Sequence, residues 1–285
     1  MHQVPQIFDQ SLRRARKART AGQAHKASFL LQEVVSEVAD RLQAVNRHFP
    51  VFVCHGAGDL SQHVASHAIA TNVVASLTPA AGVVFEESAF PFADASIDAH
   101  ASLLTLHAIN DLPGALAQIR RALRPDGFFI GALFGSRTLQ ELRQALTAAE
   151  AEILGGVSPR VSPFLDIRDA GALLQRAGFT LPVADTDEIT VHYENPLRLF
   201  EDLRLMGETN VLHERQRRFL RRDVLLRALE IYRQENADGE GRIRATFEIM
   251  YLAGWAPHES QQQPLKPGSA KMKLADALKA TSGKP

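Results

Sequence analysis

Between residues 51 and 134 the chain alternates short, wholly apolar runs with stretches of helical periodicity, and few architectures accommodate that alternation. Val51-Phe52-Val53-Cys54 is apolar at every position, as a strand buried on both faces of a parallel sheet must be. A long helix is expected before it over 26–48, where Phe29, Leu30, Val34, Val38, Leu42 and Val45 recur at helical spacing and Pro50 sets the limit. Gly56 and Gly58 break the apolar run, and Asp59 stands where it could cap a following helix. Residues 68–74 read as a second strand or a strand-to-helix join, further strands are expected at 82–85 and 97–106, and then a helix over 112–123 capped by Asn110-Asp111. Arg124-Pro125-Asp126-Gly127 reads as a turn, with proline presetting φ and glycine taking the left-handed position, before a strand at 128–134. Together these predict a doubly wound α/β sheet, mostly parallel, with helices on both faces and ligands at the carboxyl ends of its strands. The first such loop is His55-Gly56-Ala57-Gly58-Asp59.

Past residue 136 the pattern changes. Helices are expected at 139–154 and 166–178, and extended strands at 183–193 and 243–255. Between those strands lie helical stretches at 196–206 and 219–232, joined by 207–215, which predicts a helical insertion capping the strand ends. The expected organisation is an N-terminal helical segment (1–48), an α/β domain (49–195 and 240–256), a helical cap (196–239) and a loosely held tail (257–285).

Composition narrows the function classes. Thirty-two basic residues balance 32 acidic ones, so no global field recruits nucleic acid or a membrane surface. No apolar run approaches the ~20 residues of a membrane span, and no integral membrane segment is expected. The single cysteine, Cys54, excludes an internal disulfide and any cysteine cluster; buried, it would be an inert thiol. Arg13, Arg14, Arg16, Lys17, Arg19 and Lys26 precede Glu33 with only Asp9 opposing them. That pattern is shared by organellar transit peptides and by solvated amphipathic helices, and the second is the preferred reading.

Family resemblance enters with the stretch from Leu103 to Pro113 and with Leu123-Arg124-Pro125-Asp126-Gly127-Phe128-Phe129-Ile130-Gly131, which resemble the later half of a class I, S-adenosylmethionine-dependent methyltransferase. Ser162-Pro163-Phe164, Ala177-Gly178-Phe179, Asp185-Thr186-Asp187-Glu188-Ile189, Met206-Gly207-Glu208-Thr209-Asn210 and Gly254-Trp255 narrow it further. These segments are similar to the methyltransferase-like assembly factors of respiratory complex I and their bacterial relatives, neighbours of the biotin-synthesis malonyl-carrier methyltransferases. Ile7-Phe8-Asp9 and Pro267-Gly268-Ser269-Ala270 fit the same family.

The resemblance implies a Rossmann-like fold and a cofactor, S-adenosylmethionine, held by Cys54, His55, Gly56, Ala57 and Gly58, by Glu86 and Glu87 after the third strand, and by Ser102 and Leu103 after the fourth. The loop departs from the family pattern: Phe52 stands at its usual Asp and Cys54 at its first Gly. No Asp or Glu occurs between Asp59 and Glu86, so the ribose hydroxyls lose their carboxylate, and Thr71 or Asn72 is left as a neutral substitute. That loss is worth about 1.5–3 kcal/mol, and a cofactor bound weakly, or lost, is the expectation.

His107, just past the fourth strand, is a candidate base or substrate-orienting group, with helix packing as its alternative. Tyr193, Glu208 and Asn210 are candidate substrate-cleft residues or else partners within the cap interface. His63 and His67 share a helix face but lack a third ligand, and no metal site is expected. Arg217, Arg218, Arg221 and Arg222 read either as a solvated helix face or as a dock for an acidic partner, with no nucleic acid expected. Three readings stay open: methyl transfer to an unnamed acceptor, modification of an arginine in a complex I subunit, with hydroxylation as one form of it, and a non-catalytic assembly role. The compartment would be the cytoplasm in a bacterium and the mitochondrial matrix in a eukaryote.

Overall fold

The computed structural model describes residues 5–45, 47–64, 69–77 and 82–262. The chain opens with α1 (Gln10–Thr20), started by Asp9, whose Oδ1 accepts from Leu12 N at 2.9 Å. A 3-10 stretch (Ala21–Ala27) separates it from α2 (Phe29–Ala44), so the single helix expected over 26–48 is shorter at both ends. Leu30, Val34, Val38 and Leu42 bury the face of α2 that the periodicity marked.

The strands then follow as β1 (Phe49–His55), β2 (Ile69–Ser76), β3 (Val83–Val84), β4 (Ile97–Leu103) and β5 (Leu123–Phe134). A short α3 (Ser61–Val64) follows the first loop; α4 (Leu112–Ala122) precedes β5, and α5 (Gln140–Leu154) and α6 (Ile167–Arg176) follow it. Next come β6 (Thr180–Tyr193), α7 (Pro196–Leu205), α8 (Arg222–Asn236) and β7 (Ile243–Trp255). The sheet order is β3-β2-β1-β4-β5-β7-β6, parallel throughout except that β7 runs antiparallel to both neighbours. The crossover from β3 back past β1 to β4 is the strand-order reversal beside which such sheets bind ligands.

Burial on both faces explains the wholly apolar runs. Phe52, Cys54, Phe128, Ile130 and Phe134 pack into one core with α2, α5 and α8, while Val53, Phe129 and Leu133 pack into the other with α4 and α6. Neighbouring residues point to opposite faces, and both faces are covered.

Four local expectations need correction. Asp59 lies inside a 3-10 turn (Gly58–Leu60) that leads into α3, and it does not stand at the cap position, which Ala57 takes. Asp111 alone caps α4, accepting from Gly114 N at 2.8 Å; Asn110 instead pins Phe8, accepting from its N–H and donating to its carbonyl. Arg124–Gly127 bulges out of β5, and the left-handed residue is Asp126, at φ 64°. Gly127 is needed for a different reason: a Cβ there would stand 2.8 Å from Arg124 O and 3.0 Å from Asp98 O. The basic cluster at 217–222 lies mostly in the loop before α8, because that helix starts at Arg222 and not near 219. His63 is exposed; His67 and the Pro267–Ala270 motif fall outside the described residues, as does most of the expected tail.

His100, buried within β4, stacks on Phe129 at 6.1 Å and meets Phe90 edge-on at 5.1 Å. Burial pushes its pKa down to about 3. In the unfolded chain it protonates near about 6.5, so acidification from there draws protons to the unfolded state and stability falls until the folded pKa is reached. Replacing His100→Leu is therefore expected to flatten the loss of unfolding free energy between about pH 6 and pH 4, measured by urea titration. An unchanged slope would show that this histidine is not held neutral.

Candidate functional site

The loop after β1 lies against the end of β4. Gly56 adopts φ +92°, and a Cβ there would run into the Leu103 carbonyl and stand 2.5 Å from Thr105 Cγ2. Glycine is demanded at that position by the protein's own backbone. Gly58, at φ +54°, has open space where its Cβ would be. His55 is buried against Phe85, ring centroids 4.5 Å apart, and that burial pushes its pKa down to about 4. On the β4 side, Ser102 Oγ and Thr105 Oγ1 share a hydrogen bond of 2.6 Å, and Leu104 between them is held at φ 51°, a strained value for leucine.

Over this loop sits Arg13 of α1. Its guanidinium donates to both carboxylate oxygens of Glu87, at 2.9 and 2.8 Å, and to Thr105 O at 2.8 Å. Both side chains are only about 3% exposed. Burial opposes the charge on each, but their fork-to-fork pairing outweighs it, raising the pKa of Arg13 and lowering that of Glu87. Arg14 pairs with Glu86 beside it. Arg16 donates to Thr209 Oγ1 and Asn210 O, and Lys17 to Met206 O and Glu208 Oε1. The basic N-terminal segment is thus a clamp across the strand ends, correcting its reading as a solvated helix. Local charge counting missed this because its acidic partners lie 74 and 191 residues away.

Beyond the clamp opens a cavity of about 670 Å³, between α1, the end of β5, the 159–164 segment and the 203–220 segment. Phe134, Phe164, Phe200 and Phe247 supply its aromatic wall, and Glu208 is the only acidic residue lining it among the described residues. Burial would raise the pKa of Glu208, yet the charges of Lys17 and His107 and their hydrogen bonds hold it well below the usual carboxylate range. His107 Nε2 lies 3.0 Å from Glu208 Oε2. Since a carboxylate only accepts, Nε2 carries the proton. The imidazole is wedged between Phe134 and Phe164, at 4.7 and 5.9 Å.

The residues singled out from the sequence therefore divide. Glu208 and Asn210 line the cavity, whereas His107 stands behind Glu208 and Tyr193 is buried with its hydroxyl donating to Asp202. None of the residues tied to the cofactor lines this cavity. Cys54 turns its side chain into the core, its pKa pushed up to about 12 by burial. Thr71 and Asn72 sit level with Val51 and Phe52, because β2 runs on to Ser76. They lie roughly 13–17 Å short of the strand end, too deep to replace a ribose carboxylate. Glu87, Ser102 and Leu103 do stand at the strand ends, but all are buried and Glu87 is committed to Arg13. As placed, Glu87 is taken up by Arg13, and the space beside Gly56 is filled by Leu103 and Thr105. Arg13, Lys17, Thr105, Phe134 and Phe164 belong to the site and were not singled out. Among the described residues, no group of three or more His, Cys, Asp or Glu side chains could hold a metal ion.

Residues 53–131 match a family described as "Methyltransferase domain". Over 96% of its length the chain is 40% identical to the protein named "Arginine-hydroxylase NDUFAF5, mitochondrial" from Danio rerio, covering 90% of that protein. A "Malonyl-[acyl-carrier protein] O-methyltransferase" from Xylella fastidiosa is 37% identical over 63% of this chain and 58% of its own. The solved YcgJ protein of Bacillus subtilis is similar in fold, with a TM-score of 0.52 and 12% identity over 78% of this chain and 98% of its own.

The clamp can be tested by double substitution. Arg13→Ala leaves Glu87 buried without a partner, and a loss of about 3–5 kcal/mol in unfolding free energy is expected. Replacing both, Arg13→Leu with Glu87→Leu, should recover most of that loss, read by urea titration. Additive losses would mean that the two groups are not coupled.

Proposed function

The chain belongs to the family of the mitochondrial arginine hydroxylase NDUFAF5, a methyltransferase-fold family, and from that membership we propose that it modifies an arginine side chain of a partner protein. The observation that carries this reading is Glu208: one carboxylate, kept ionised, on the wall of a cavity that Phe134, Phe164, Phe200 and Phe247 also line. A guanidinium is planar, always charged and weakly hydrated, so it stacks on aromatic faces while its N–H fork meets a carboxylate. Lys17 and His107 then act as positioning residues, fixing where the Glu208 oxygens point. The helices between β6 and β7 serve as the cap that shapes the cavity.

Hydroxylation is the reaction this reading favours, following the relatives' name. It replaces a C–H bond by C–O–H with one atom of dioxygen, the other atom leaving as water with two protons and two electrons from an external reductant. The chain's own residues supply recognition and exclusion of water. Complex I assembly, in the bacterial cytoplasm or the mitochondrial matrix according to the cell, is the setting consistent with the family. No helix among the described residues is long and apolar enough to cross a membrane.

Methyl transfer from S-adenosylmethionine is the second reading, favoured by the domain match over residues 53–131 and by the open space at Gly58. Against tight binding stand the commitment of Glu87 to Arg13, the closure of the loop on β4 and the missing ribose carboxylate.

Mass spectrometry of a complex I subunit co-expressed with the chain separates these readings. Arginine hydroxylation adds the mass of one oxygen atom, and methylation that of one methylene. Glu208→Gln is expected to lower modification at least about ten-fold, with the melting temperature monitored as a control on folding. Calorimetric titration with S-adenosylmethionine should give a Kd weaker than about 10 μM. Submicromolar binding together with a methylated product would overturn the hydroxylation reading.

A further inference from the structure

Between α7 and the first turn of α8 the chain carries Arg217, Arg218, Arg221 and Arg222 around Phe219, whose side chain is 100% exposed. Arg221 is paired with Asp223. Arg217 and Arg218 are exposed and take part in no ion pair or side-chain hydrogen bond among the described residues, and both line the mouth of the cavity with Phe219. Arg16, Arg160, Arg204 and Arg215 line the same cavity. Arg160 is paired with Glu150 and Arg215 with Asp9, which leaves Arg16, Arg204, Arg217 and Arg218 without an ion pair among the described residues, against one lining acid, Glu208, which Lys17 already pairs, in a chain whose formal net charge is zero. The excess positive charge is therefore concentrated at this opening. A free guanidinium would be repelled by such a rim unless the chain bearing it brought its own negative charge.

We propose that the Arg217–Arg218–Phe219 rim docks an acidic peptide segment of a partner protein, and that acidic residues flank the arginine presented to Glu208; this rests on the arginine-modification reading above. Carboxylates of the segment pair with Arg217 and Arg218, and Phe219 covers an apolar side chain of the same segment. The concavity favours a peptide over a flat anionic membrane, because the arginines converge on an opening that a planar surface could not enter.

The experiment uses the full chain and a fluorescein-labelled peptide with one arginine between two pairs of aspartates, followed by anisotropy. Replacing the aspartates by serine is expected to weaken binding about ten-fold or more, and added salt should weaken it progressively. The double variant Arg217→Glu with Arg218→Glu should lose about as much affinity, and Phe219→Ser a smaller part. All three positions are exposed, so an unchanged melting temperature is expected and is measured alongside. A peptide with citrulline in place of arginine separates the two ideas. If it binds as tightly and still depends on Arg217 and Arg218, the docking surface stands and the Glu208 reading fails. If affinity depends on the arginine but not on the aspartates, the docking proposal is overturned. It is equally overturned if phosphatidylglycerol vesicles or duplex DNA bind through Arg217 and Arg218 while the acidic peptide does not.

Discussion

The buried pair of Arg13 and Glu87 is the interaction on which the arrangement of the strand ends depends. Two charges out of water are tolerated only when each satisfies the other with good geometry, and here both carboxylate oxygens and the Thr105 carbonyl are engaged. The pair fixes α1 against the ends of β3 and β4. That in turn sets Arg16 and Lys17 against residues 206–210 and gives Glu208 its counter-charge. One helix therefore decides both what fills the space above the first loop and how the cavity beside it is wired.

Much of the fold was legible because buried parallel strands must be apolar at every position. Val51–Cys54 and 128–134 announce themselves in that way, and α2, α4 and β7 follow from equally strong periodicity. Boundaries were less legible where tertiary contact overrides local preference. Residues 124–127 look like a free turn, yet they bulge out of β5. β2 was cut short because Ala75 and Ser76 carry no strand signal of their own; Ala75 is held by its register with His55.

The site was legible only in part. Glu208 and Asn210 came from motif resemblance, and the structure gives them a cavity wall. The loop glycines suggested close approach to a ligand, which is the right geometry with a different occupant: at Gly56 the approaching atoms belong to Leu103 and Thr105. Arg13 and Lys17 could not be recognised locally, because a basic helix looks solvated until distant acids are brought to it. No spacing rule along the chain encodes contacts of that range.

That range has a consequence for how the molecule is assembled. Lys17 and Glu208 are separated by 191 positions, so during synthesis the first helix leaves the ribosome long before its last partner exists. Until then its arginines have no buried acid to meet, and closing so large a loop gains nothing until the sheet is built. The α1 contacts to residues 206–210 therefore close only after that segment has been made. Anything that must be placed above the first loop has its widest access before α1 closes down.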